Sequence, residues 1–114
     1  MDNNKIGTQG AKLLADGLAK NETLTNLHLA NCQVGEEGAI AISKILGNKK
    51  NLLVLDMTNN KTMVGGCIAL CKAIQHHSTL REIYLSNNMI GPDGARHVAK
   101  VLENTNYITE IWLS

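Results

Sequence analysis

The stretch LREIYLSNNMIGPDGA, residues 80–95, decides the fold. It sets apolar residues at Leu80, Ile83 and Leu85, then Asn88, Ile90 and the glycines Gly91 and Gly94. Ile83 and Leu85 are two apart, so they face the same way on a strand. The same wording recurs as LTNLHLANCQVGEEGA from Leu24, LLVLDMTNNKTMVGGC from Leu52 and ITEIWLS from Ile108. The starts at 24, 52, 80 and 108 are 28 residues apart, and NNKIGTQGA from Asn3 fits the frame one repeat earlier.

After each strand comes Asn4, Cys32, Asn60 or Asn88, in the bend where sheet pairing stops. These side chains are placed to bond loop backbone groups, Cys32 more weakly because a thiol is a poorer partner. Beyond the glycines, apolar and small residues return at offsets of 3, 4 and 7. They run Ala11, Leu14, Ala15, Leu18; Ala39, Ile42, Ser43, Leu46; Cys67, Leu70, Cys71, Ile74; and Ala95, Val98, Ala99, Leu102. Each series is one buried helix stripe. The spacing predicts strands over 26–29, 54–57, 82–85 and 110–113, all parallel, and helices near 8–20, 36–47, 64–76 and 92–103. One strand and one helix cannot bury both apolar faces alone, but stacked copies bury them against each other.

The period divides the 114 residues into a single domain: a partial repeat 1–23, repeats 24–51, 52–79 and 80–107, and a terminal strand 108–114. The first unit lacks its strand and the last lacks its helix. That pattern predicts a piece of a longer array, or self-association through uncapped ends. One repeat breaks the rule: Thr62 stands at the apolar loop position and Met63 at the glycine, so Met63 or Val64 is expected to turn inward instead.

The shared pattern, LxxLxLxxN/CxIGxxGAxxLAxxL, resembles the leucine-rich repeats of the ribonuclease-inhibitor-like subfamily, which also alternate asparagine with cysteine. The resemblance covers the whole chain. It implies an α/β fold, a right-handed solenoid with parallel strands on the concave face and helices on the convex face. Proteins of similar shape include ribonuclease inhibitor, tropomodulin, the sensing domains of NOD-like receptors and GTPase activators of Ran.

Composition narrows the function. A formal net charge of +1 gives no global field for nucleic acid or an acidic membrane, and no apolar run is long enough to span a bilayer. Three cysteines do not make a disulfide framework. They read as buried, reduced side chains, which points to a cytoplasmic protein. The histidines His28, His76, His77 and His97 show no metal-ligand spacing, and the glycines belong to the repeat rather than to a phosphate loop. No catalytic residue, metal ligand or cofactor is expected.

What remains is the concave face, where residues flanking the inward leucines point to solvent. Across the repeats they form one column of Asn26, Val54, Glu82 and Glu110, and a second of His28, Asp56, Tyr84 and Trp112. A third holds Ala30, Thr58, Ser86 and Ser114. Two of the chain's three aromatic residues therefore stand side by side, flanked by glutamates, in the residue types enriched at binding hot spots. The expected function is a non-enzymatic scaffold that binds a protein through this face. The alternative is part of a GTPase-activating or NOD-like-receptor-type regulator. The activators depend on a loop arginine, and neither Arg81 nor Arg96 matches that position. On the helices, Ile40 and Ile68 are expected to be partly exposed, as a contact surface or as packing between helices. Lys44, Lys72 and Lys100 form a basic ridge whose simplest reading is a solvated face.

Overall fold

The computed structural model describes residues 5–46, 51–75, 79–103 and 110–112, with the backbone alone at 101–102 and 110–112. Helix and strand alternate throughout: α1 (Gly7–Leu18), β1 (Asn26–His28), α2 (Gly35–Leu46), β2 (Val54–Asp56), α3 (Met63–Gln75), β3 (Glu82–Tyr84), α4 (Gly91–Leu102) and β4 (Glu110–Trp112). The strands form one sheet in the order β1-β2-β3-β4, every pair parallel. Leu27 pairs with Leu55, Leu55 with Ile83 and Ile83 with Ile111, so the 28-residue period of the sequence is the register of the sheet. Each strand is one residue shorter than expected, and each helix starts one residue sooner. The helical pattern begins at the residue that bends the chain: Gly7, Gly35 and Gly91 have φ of 69°, 76° and 67°.

Leu27, Leu29, Leu55, Met57, Ile83 and Leu85 are buried and meet the helix stripes in a single core. In α2 and α3 every stripe position is buried. In α1, Leu14 and Leu18 are only half-buried, and in α4 Ala99 is exposed rather than buried as expected. The difference is one of neighbours, since α2 and α3 each pack between two helices whereas α1 and α4 each pack against one. Leu102's side chain lies outside the described residues. Helices approach closely because glycine recurs at the contact. A Cβ on Gly66 would lie 3.1 Å from the Ala39 Cβ, and one on Gly38 would lie 3.0 Å from the Ala11 Cβ.

Asparagines stitch the loops together. The Asn60 Oδ1 accepts from the backbone N–H groups of Cys32 (2.9 Å) and Val34 (3.2 Å), and its Nδ2 donates to the Leu29 carbonyl (2.7 Å). Asn88 does the same one repeat on, accepting from Asn60 N (2.9 Å) and Thr62 N (3.3 Å) and donating to the Met57 carbonyl (2.9 Å). Both are fully buried, and each satisfies backbone groups of the preceding repeat. In the same column, Cys32 Sγ makes a 3.5 Å contact to the Ala30 carbonyl.

The irregular repeat resolves differently from expectation. Thr62 stays inside, fully buried, with its hydroxyl 3.0 Å from Cys67 Sγ. Met63 does not turn in: it is 37% exposed and takes the left-handed conformation (φ 58°) that glycine takes elsewhere. Val64 packs partly on the core. A threonine of nearly valine's volume fills the hole, and a sulfur partner satisfies its hydroxyl.

Candidate functional site

The side chains of the sheet alternate between the core and the outer face, so each column of the outer face runs perpendicular to the strands with a step of roughly 4.8 Å. The parallel register lines up Asn26, Val54, Glu82 and Glu110, and next to them His28, Asp56, Tyr84 and Trp112. Asn26 and His28 are exposed, and Val54, Asp56, Glu82 and Tyr84 are half-buried. The side chains of Glu110 and Trp112 lie outside the described residues, though their backbone continues the sheet beside Glu82 and Tyr84. The third column is less open than expected. Ala30 is buried at 8% exposure where the chain bends away from the strand, Thr58 and Ser86 are half-buried, and Ser114 is not described.

Hydrogen bonds orient Tyr84, Glu82 and Asp56 on this face. The Tyr84 hydroxyl donates to Glu82 Oε1 (2.5 Å), which joins the two columns on one strand. The Asp56 Oδ1 accepts from the Thr58 backbone N–H (3.0 Å), a local turn bond that orients the carboxylate. The described side chains of the first two columns thus offer two carboxylates, a phenol ring and an imidazole, with no lysine or arginine among them. Such a surface accepts hydrogen bonds and attracts cations, and it has an aromatic ring for an apolar group to cover.

The remaining chemistry-bearing residues read as structure. Cys32, Cys67 and Cys71 are buried and form no disulfide. Burial pushes the Cys67 thiol up, with the Thr62 hydrogen bond opposing, and pushes the Cys71 thiol up to about 12, with Cys67 adding to the shift. Neither is a nucleophile at neutral pH. Among the described residues no group of three or more His, Cys, Asp or Glu could hold a metal ion. His76 and His77 fall outside the described residues. Both arginines are engaged within the chain: Arg81 donates to the carbonyls of Thr79 (2.9 Å) and Leu80 (3.4 Å), and Arg96 pairs with Asp93. Among the described residues no helix is long and apolar enough to cross a membrane.

On the opposite side of the molecule, Ile40 and Ile68 are half-buried and Lys44, Lys72 and Lys100 are exposed. One feature escaped the sequence reading. Asn31, Asn59 and Asn87, each just before the buried asparagine column, all adopt φ between 56° and 59°, and Asn59 donates to Asn31 across the loops. The signal was the doubled Asn in TNN and SNN, since asparagine is the non-glycine residue that tolerates this conformation best.

The comparisons agree with this geometry. The family model described as Leucine Rich repeat matches residues 20–43 and 76–99. A search of curated proteins gives no match. Among solved structures, the chain is similar to one titled Leiomodin-1 Actin-Binding Site 2, with a TM-score of 0.86 and 21% identity. That match covers 100% of this chain and 69% of the other. At that identity the likeness is one of fold. The matched segments hold β1 with most of α2 and β3 with most of α4, and the unit between them keeps the same register, so over these segments the chain is similar to leucine-rich repeat proteins.

Proposed function

We propose that this chain is a protein-binding module with no catalytic chemistry of its own, and that it holds its partner on the outer face of the sheet. The observation that carries the reading is the pairing of Tyr84 with Glu82 beside Asp56, on a face that contributes nothing to the core. The spacing of the two layers favours the same reading. Strands pair about 4.8 Å apart while helices pack about 8–10 Å apart, so a stack of such units bends with its sheet inside, on the concave side. The 28-residue period and the Asn/Cys alternation fit the ribonuclease-inhibitor-like subfamily, and right-handed crossovers are the rule for parallel strands. GTPase activation is the weaker reading because both arginines are already bonded within the chain.

In this account Tyr84 and Trp112 anchor the partner, and Glu82 and Glu110 orient a basic group on it. Asn26, His28, Val54 and Asp56 extend the strip. Actin is one candidate partner, because the solved structure of similar fold is titled an actin-binding site. The test is capture of proteins from a cell extract, together with titration of purified actin, using the native chain, Tyr84→Ala and Glu82→Ala. Loss of an aromatic anchor is expected to weaken binding by about thirtyfold, and loss of the carboxylate to act mainly on association rate and its salt dependence. Retention of every captured protein by both variants would refute the proposal.

A further inference from the structure

The helix side of the molecule carries two adjacent columns. In one, Ile40 of α2 and Ile68 of α3 are half-buried. Ile40, unlike Ile68, is not among the residues packed on the core. In the other, one helical turn further along, stand Lys44, Lys72 and Lys100 of α2, α3 and α4, all exposed. Spacing of i and i+4 puts each isoleucine beside the lysine that follows it on the same helix face.

Charge pairing separates these lysines from the other cations on the helices. Lys12 is bound to Glu37 (3.5 Å) and Arg96 to Asp93. Among the described residues none of Lys44, Lys72 and Lys100 makes an ion pair. Of the nearby acids, Glu36 turns its carboxylate onto Gly65 of α3 and Glu37 pairs with Lys12, while Asp16 holds the site on α1 equivalent to Lys44 and faces the same recess without an ion pair to it. An open recess of about 500 Å³ between α1 and α2 borders this face; Asp16 and Glu37 line it beside Ile40 and Lys44, so the basic face runs from Ile40 towards α3 and α4 and not into the recess. On α2 and α3 an isoleucine therefore stands beside an unpaired lysine, while on α4 Arg96, paired with Asp93, takes the isoleucine's place beside Lys100.

We propose that the outer face of α2, α3 and α4 is a second docking surface, fitted to an acidic amphipathic helix of a partner protein. Its apolar side chains cover Ile40 and Ile68 while its carboxylates meet Lys44, Lys72 and Lys100. The spacing suits such a partner. Packed helices stand about 8–10 Å apart, and residues i and i+7 on a helix are about 10.5 Å apart, so a helix lying across the three presents one carboxylate to each lysine. This inference concerns a different face from the sheet and stands or falls independently of it.

The test uses a synthetic helix of about 18 residues with glutamates seven apart beside a leucine stripe, followed by fluorescence anisotropy. A second peptide carries lysine in place of each glutamate. The native chain is expected to bind the acidic peptide alone. The combined Lys44→Glu, Lys72→Glu and Lys100→Glu variant is expected to lose at least about tenfold in affinity, which is about 1.4 kcal/mol. Its melting temperature should hold, because all three side chains are exposed, and Tyr84→Ala should bind the peptide normally. Equal binding of either peptide, equal binding by the charge-reversed variant, or no binding at all would overturn the proposal. Lysine-dependent capture by phosphatidylserine vesicles without peptide binding would overturn it in favour of a membrane surface.

Discussion

The inner helices α2 and α3 and the outer helices α1 and α4 are built from one pattern, yet they end in different states. In α3 the stripe Cys67, Leu70, Cys71 and Ile74 is fully buried, whereas in α1 the equivalent Leu14 and Leu18 are half-buried and Leu13 is 71% exposed. The residue types do not explain this, because leucines sit in both. A repeat is as buried as its neighbours make it, so stability belongs to interfaces between units more than to the units themselves.

Leu70→Ala and Leu14→Ala test this contrast at full strength. The first opens a cavity between two flanking repeats and is expected to cost about 2–5 kcal/mol, the second roughly half of that or less. Chemical denaturation of both variants measures the difference. Equal costs would mean that the interfaces do not govern stability. The loop column offers a second contrast. Asn60→Ala strips bonds from Cys32, Val34 and Leu29 in the preceding repeat and is expected to cost about 2–4 kcal/mol. Cys32→Ala removes a weak sulfur contact to the Ala30 carbonyl and is expected to cost about 1 kcal/mol.

The third contrast lies in the backbone. Met63 holds a left-handed conformation that glycine holds in the flanking repeats, so Met63→Gly is expected to raise stability by about 0.5 kcal/mol. A shift of the denaturation midpoint measures it, and a fall in stability would show that the methionine side chain contributes more than the strain costs. The smallest effect at neutral pH concerns Cys71. Its thiol stays protonated in the folded chain up to about 12, whereas in the unfolded chain it ionises near 9.0. Stability should therefore be unaffected below about pH 9 and fall as pH rises from there towards 12. Labelling of native Cys71 by a thiol reagent at pH 8 should be slower than in the unfolded chain by about a hundredfold or more.

Most of the fold was legible in the sequence because the 28-residue period is itself the strand register. Leu27, Leu55 and Ile83 are equivalent in the text and neighbours in the sheet. The exceptions share a cause. Ala99 reads as buried by its spacing, but spacing fixes a direction, and burial also needs a neighbour. Thr62 reads as too polar for its site until Cys67, five residues on, supplies a partner for its hydroxyl. The candidate site was legible as columns, since alternation along a strand assigns faces. The Tyr84–Glu82 bond and the turn bond of Asp56 were not, because rotamers follow from surroundings rather than from periodicity.

The sheet-face reading depends on one separation of duties, in which side chains facing the helices hold the fold and those facing outward hold the partner. Tyr84 and Leu85 are neighbours in the chain, the first half-exposed on the outer face and the second fully buried. The decisive measurement is therefore paired: denaturation midpoint and partner capture for Tyr84→Ala and Leu85→Ala. The account predicts that Tyr84→Ala unfolds like the native chain but loses its partner, while Leu85→Ala unfolds far more readily. Undiminished capture by Tyr84→Ala, or a loss of stability as large as that of Leu85→Ala, would contradict it.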